Sequence, residues 1–219
     1  MYTTFVNISY VLLFLNFILY VMRFYKNSKP YKIFTYYLFL IITVQVIAHI
    51  CTELYGDNLF LSHFYFVGQF ICLNLFYKSI YKLDWQKKMA NSLLLGGLTV
   101  IGIQYLIDPA AFFKFNKLEI VVTSFLIVIL AVIHLYNMLS EKKEFYHATI
   151  GIIFYLFSST VLFLVGNLME MLGDKYHFFP WTINAFLVIL YHLFILYEWK
   201  VSFYKTAISS DIDATEPVS

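Results

Sequence analysis

The chain has 219 residues, of which 61% are hydrophobic and 21% aromatic, with a formal net charge of +2. A soluble core of this length cannot hide that much apolar surface, so the composition demands lipid as the solvent. The charge is small and spread along the chain, which argues against a nucleic-acid surface built on a dense basic patch.

A membrane-crossing helix needs roughly 20 mostly apolar residues, and seven such segments are legible in chain order. The first covers about 4–24. Its basic residues come after it and it shows no small-x-small cleavage site, so it is expected to stay as a helix and not to be removed as a signal peptide. The turn formers Asn27-Ser28-Lys29-Pro30 lead to the second, about 33–54, and Gly56-Asp57-Asn58 to the third, about 59–80. The fourth, about 90–107, carries Ser92, Gly96, Gly97 and Gly102. After the linker from Asp108 to Lys117 come the fifth, about 118–139, and the sixth, about 146–171, which holds Gly151, Ser158, Ser159 and Gly166. Small residues at these spacings suit close helix packing in lipid. Gly173-Asp174-Lys175 and Pro180 then precede the seventh, about 180–203, and the polar, acidic tail 204–219 is expected to be disordered. Any chemistry therefore lies within or between the helices.

Twelve of the fifteen Lys and Arg residues fall in alternate gaps. They are Arg23, Lys26, Lys29 and Lys32, then Lys78, Lys82, Lys87 and Lys88, then Lys142 and Lys143, then Lys200 and Lys205. Only Lys114, Lys117 and Lys175 lie on the other side. Cytoplasmic loops retain basic residues, so the reading is an all-α, polytopic seven-transmembrane helix bundle with its N-terminus outside and its C-terminus cytoplasmic. Cys51 and Cys72 are read as small packing residues. At 1.5 Å per residue they differ by about 15 Å in depth, against a limit of ~7 Å for bridged Cα atoms.

Ionisable and amide side chains at membrane depth usually face a bundle interior or a wet cavity. Gln45, His49 and Glu53 repeat every four residues on the second helix and form one stripe with Thr52. His63 stands near the outer end of the third helix, with Asn74 on nearly the same face. Thr160, Asn167 and Glu170 share a face of the sixth helix, and Asn184 opens the seventh, followed by Tyr191 and Glu198. The topology puts His49, Glu53, His63, Asn167, Glu170 and Asn184 in the outer third, so together with Gln45 they are expected to line an outward-facing polar pocket among helices two, three, six and seven. A second, inner group comprises His134, Asn137, His147 and Glu198, and His192 lies mid-membrane. His49, Glu53, His63 and Glu170 also invite a metal reading. Zinc ligands, however, usually come as His-x-x-x-His, and the nearest spacing is His49-x-x-x-Glu53, so no cofactor is implied.

The stretch from Lys32 to Ile80 contains KIFTYYLFLIITVQVIAHI and YGDNLFLSHFYFVGQFICLNLFYKSI, and it resembles a group of short, Phe-, Tyr- and Ile-rich bacterial inner-membrane proteins of about seven helices with no assigned function. The likeness extends to FLVGNLME in the sixth helix. Gln69 stands where that group leads one to expect an acidic residue. The resemblance implies no substrate and no catalytic residue. The helix-seven lysine of a retinal pigment is missing, as are the paired repeats of many transporters and any Gly-x-Ser-x-Gly elbow.

These features point to an integral inner-membrane sensory or partner-regulating module whose pocket takes a small ligand or lipid headgroup. Its partners would be the lipid bilayer and a membrane or cytoplasmic protein, without nucleic acid. The alternatives are an intramembrane lipid-modifying enzyme, with Glu53 or Glu170 as base and His49 and His63 as ligands or acid-base partners, and a small-solute transporter.

Overall fold

The computed structural model describes residues 2–56, 58–140, 143–171 and 179–204, with the backbone alone at 55, 167–171 and 204. The tail 205–219, Asp57, Lys142 and the turn at Gly173-Asp174-Lys175 lie outside the described residues. Seven α-helices run through the rest: α1 Tyr2–Val21, α2 Lys29–Tyr55, α3 Leu61–Ile80, α4 Asp84–Ile107, α5 Lys117–Asn137, α6 Tyr146–Met171 and α7 Phe179–Glu198. A 3-10 turn at Pro109–Phe113 joins α4 to α5, and α7 ends in a π-helical segment, Trp199–Tyr204. No strand occurs among the described residues.

Local chemistry fixes the helix ends. Pro30 opens α2, where its missing N–H costs nothing. Gly56 closes α2 in the left-handed region, at φ 74°, with its N–H on Thr52 O. The α4 helix starts at Asp84, earlier than the position 90 suggested by hydropathy, because an acidic residue in the first turn complements the helix dipole and the polar turn with Gln86 and Lys87 stays helical.

Six helices are long and apolar enough to cross a membrane: α1, α2, α4, α5, α6 to Gly166, and α7 with its π-helical end to Phe203. The remaining one, α3, has 20 residues and so matches them in length, but it carries Ser62, His63, Gln69 and Asn74. Its position explains its polarity. It packs against α2, α4 and α5 and buries His63, Gln69 and Asn74, so these groups meet protein instead of lipid.

The helices form a ring in which α1 packs on α2, α2 on α3, α3 on α5, α5 on α6, α6 on α7 and α7 back on α1, with α4 outside against α3 and α5. One end of the ring is closed by aromatic side chains. Tyr20 stacks on Tyr31 at 4.9 Å, Tyr31 meets Phe203 edge-on at 4.8 Å, and Phe76 lies 5.1 Å from Phe34 and 5.0 Å from Phe145. Phe145 has a positive φ of 56°, which is costly for a bulky residue and is held here by the rings that bury it.

Beside this plug, the fully buried carboxylate of Glu198 at the end of α7 caps the start of α6. Its Oε2 accepts from His147 N at 2.7 Å and lies 3.2 Å from His147 Nδ1, while Ser202 donates to Oε1. A carboxylate at a helix N-terminus satisfies orphan N–H groups and opposes the dipole favourably. Trp199 Nε1 donates to Leu19 O and Arg23 Nη1 to Phe203 O, tying α7 to α1 as well. The inner residues expected as one group therefore form separate pairs. Asn137 exchanges amide hydrogen bonds with Gln86, and His134 Nε2 bonds Glu144 O.

Glycines divide between contact and open space. A Cβ at Gly151 would stand 2.6 Å from Phe194 Cβ, and one at Gly97 2.8 Å from the Phe70 ring, whereas Gly96 and Gly102 face nothing within 4 Å. Gly151→Ala is expected to lower stability by about 1–3 kcal/mol through overpacking, while Gly96→Ala is neutral or stabilising by up to about 1 kcal/mol. Reversible unfolding in mixed detergent micelles measures both, and equal losses would show that α6 and α7 are not this close.

Candidate functional site

A cavity of about 220 Å³ lies among α2, α3, α6, α7 and the residues leading into α5. Its polar wall is built from Gln45 of α2, Asn58 of the α2–α3 connection, Ser62 and Tyr65 of α3, Tyr155 of α6 and Asn184 of α7. Asn58 is held in place by the turn that ends α2, its Nδ2 donating to Thr52 Oγ1 at 2.7 Å and to Ala48 O at 3.3 Å. Opposite stand Phe115, Phe163 and Trp181, whose rings contact one another edge-on with centroids 5.1 to 5.5 Å apart. No Asp, Glu, Lys, Arg or His occurs among the described lining residues.

Tyrosines connect this cavity to the ring's interior. The Tyr65 and Tyr155 hydroxyls lie 3.5 Å apart, and Tyr155 stacks on Tyr191 at 5.1 Å. Tyr191 donates to the Tyr37 hydroxyl at 3.0 Å, which also accepts from Gln69 Nε2 at 3.0 Å. Gln69 thus acts as a neutral donor. Against this satisfied network, Asn184 Oδ1 is buried with no hydrogen-bond partner among the described residues, and so is His192 Nδ1 deeper in α7.

Of the seven residues expected to line a pocket, the structure brings Gln45 and Asn184 into this cavity. Gln45 Oε1 also lies 3.4 Å from the Tyr10 hydroxyl of α1. His49 is exposed and faces a groove of about 340 Å³ between α1 and α2, beside Asn7 and Tyr10. Glu53 is exposed at the end of α2. The reason is helical drift: each step of four residues turns the stripe by about 40°, so Gln45 borders both the cavity and the groove while His49 borders only the groove. The side chains of Asn167 and Glu170 lie outside the described residues. His63 is buried, but toward α4 and α5.

There His63 anchors a second site. Its Nδ1 lies 2.8 Å from Glu119 Oε2 and 2.7 Å from the Tyr105 hydroxyl, and its Nε2 is 2.8 Å from Phe112 O. Tyr105 in turn donates to Glu119 Oε2. Local structure presents these groups: Asn116 caps α5 by accepting from Glu119 N, exchanges amide bonds with Gln104 and donates to the Tyr105 hydroxyl. A carbonyl only accepts, so Nε2 must carry a hydrogen. One proton then occupies the Nδ1 to Oε2 contact, making the pair either imidazolium with carboxylate or imidazole with carboxylic acid. Both are neutral overall, which suits a fully buried Glu119. Both imidazole nitrogens are engaged, leaving no lone pair for a metal, and among the described residues no three His, Cys, Asp or Glu side chains gather as metal ligands.

No known protein family, curated protein or solved structure matches the chain. The geometry alone must therefore carry the functional reading.

Glu119 and Tyr105 were not among the expected site residues. The available signal was Asn116-x-x-Glu119, a helix-start pattern that placed a carboxylate just inside an apolar segment. Replacing His63 by Leu would strand the Glu119 carboxyl without its proton partner. His63→Leu is expected to cost about 3–5 kcal/mol, and Glu119→Gln less than half as much because an amide nitrogen in place of Oε2 has two hydrogens, one for Nδ1 and one for the Tyr105 hydroxyl, which turns to accept it. Unfolding midpoints in mixed micelles check this, and equal costs would refute the shared-proton arrangement.

Proposed function

We propose that this chain is an integral inner-membrane sensory or partner-regulating module, with its N-terminus outside, that binds a small molecule in the outer cavity and reports the binding at its cytoplasmic side. The bacterial setting rests on the resemblance of Lys32–Ile80, and the orientation on the basic residues in alternate gaps. The observation that carries the reading is an aromatic-walled cavity whose described lining residues offer amides and hydroxyls, from Gln45, Asn58, Ser62, Tyr65, Tyr155 and Asn184, and no ionisable side chain.

A route for the signal is present in the same helices. The cavity is walled by α6 and α7, and the opposite ends of these two helices are joined through Glu198 and His147. A shift of α7 against α6 on binding would therefore displace the Glu198 cap and the aromatic plug around Phe145, presenting a changed inner surface to a partner protein.

An intramembrane lipid-modifying enzyme is the second reading, favoured by the apolar groove of about 520 Å³ between α2, α3 and α4, which His63 and Tyr105 border. There both His63 nitrogens are already engaged, by Glu119 and by Phe112 O, while Glu119 Oε1 is buried without a partner among the described residues. Purification in mild detergent followed by native mass spectrometry separates the two. A sensor is expected to retain or take up a small molecule that is lost in Ala48→Trp, which fills the cavity, with no lipid turnover. Turnover abolished by Glu119→Gln, with no cavity-dependent binding, would replace the sensor by the enzyme.

A further inference from the structure

Resting on the proposed orientation, which puts the Glu198 end of α7 in the cytoplasmic leaflet, we infer that a groove between α6 and α7 binds one anionic glycerophospholipid. Its acyl chain lies along α7, and its phosphate is held by Lys200 and by Nε2 of His147.

The groove is walled by Leu190, Leu193, Phe194 and Tyr197, with Lys200 and, from α6, His147 at one end. Leu190, Leu193, Tyr197 and Lys200 recur at spacings of three, four and three, so one face of α7 passes from aliphatic to aromatic to basic. That face is turned out of the bundle, with Leu193 43% and Tyr197 52% exposed. The two helices close the floor, since a Cβ at Gly151 of α6 would stand 2.6 Å from Phe194 Cβ. From Leu190 to Lys200 the helix rises about 15 Å, half of a hydrocarbon core of ~30 Å. The apolar run therefore matches one leaflet, and its basic end meets the headgroup layer.

His147 supplies the specific donor. Its Nδ1 lies 3.2 Å from Glu198 Oε2, and because a carboxylate only accepts, the hydrogen of that contact is on Nδ1. Nε2 has no partner among the described residues, although the side chain is 28% exposed. With a phosphate at Nε2 the ring becomes an imidazolium between two anions, making a charge-assisted bond to each. The lipid would thus join the same contact that ties the end of α7 to the start of α6.

The surrounding charges favour an anion. Lys200 has no ion-pair partner among the described residues. Lys143 stands close by, its Nζ 5.2 Å from the centre of the Tyr146 ring, which itself meets His147 edge-on at 5.2 Å. The neighbouring carboxylates are engaged elsewhere: Glu198 caps α6, and Glu144 Oε1 accepts from Ser28 Oγ at 3.3 Å. Basic pockets between helices on the cytoplasmic side suit anionic headgroups. A zwitterionic headgroup would set its own cation beside Lys143 and Lys200, and a soluble phosphate would make no use of the apolar face.

The test is native mass spectrometry of the full chain from mixed micelles holding equal amounts of dioleoyl phosphatidylglycerol and dioleoyl phosphatidylcholine, where the result does not depend on which way the chain faces. One phosphatidylglycerol per chain is expected, at least about ten-fold preferred over phosphatidylcholine and not displaced by excess glycerol 3-phosphate. Lys200→Gln, at an exposed position that folding does not need, and His147→Phe, which keeps the ring beside Tyr197, should each cut the preference about five-fold or more, while Lys200→Arg retains it. Lys88→Gln, at the start of α4 on the same membrane face, should leave it unchanged. Equal retention of the two lipids, displacement by glycerol 3-phosphate, an unchanged preference in Lys200→Gln and His147→Phe, or an equal loss in Lys88→Gln overturns the inference. Ala48→Trp, which fills the outer cavity, should not alter the lipid preference, so this site and the outer ligand site can fail separately.

Discussion

Inside a bundle surrounded by hydrocarbon, a polar group finds its partner among the helices or goes without, and α3 shows how this chain meets that constraint. The helix with His63, Gln69 and Asn74 is set against α2, α4 and α5. Each of these side chains reaches a neighbour: His63 to Glu119 and Phe112, Gln69 to Tyr37, and Asn74 Nδ2 to Ala90 O. The side of α3 turned outward carries apolar side chains such as Phe64 and Leu75 instead. The arrangement α1, α2, α3, α5, α6, α7 with α4 outside follows from covering α3, and the tyrosines at the ring's centre close the hydrogen bonds that cross it.

The two ends of the ring differ in how they are filled. At the end containing Tyr31, Phe145 and Phe203, rings fill the interior, and Glu198 neutralises the start of α6. At the end near Asn58, a cavity remains that is lined by amides and hydroxyls as well as rings. Rigidity at one end and incomplete packing at the other is what a bundle needs if occupancy of the open end is to be felt at the closed one.

Much of the architecture was legible in the sequence because lipid enforces it. Seven apolar segments became seven helices, with bounds that moved most where polar residues continue a helix, as at Asp84. The site was less legible. A stripe of Gln45, His49 and Glu53 looks continuous in a list of residues, yet the drift of the α-helix divides it between the cavity and the α1–α2 groove. The sequence placed His63 near the outer end of its helix but could not show which neighbour it faces, since helix rotation depends on packing. Glycine spacing suggested close contact throughout α4, whereas only Gly97 there meets a neighbour. Glu119 escaped notice because a helix-start pattern ordinarily turns its Glu back to the backbone, and here Tyr105 and His63 draw it inward.

The claim at the centre is a cavity that water, and hence a solute, enters from outside between lipid-embedded helices. Its most direct test is reaction with a membrane-impermeant maleimide added to the outer face of intact cells, in a Cys51→Ala, Cys72→Ala background. Ser62→Cys, in the cavity wall, is expected to label without permeabilisation, while Phe64→Cys, exposed on the outer surface of the same helix, stays unlabelled in lipid. Labelling of Phe64→Cys with Ser62→Cys silent, or labelling of Ser62→Cys only after the membrane is broken, would contradict the account.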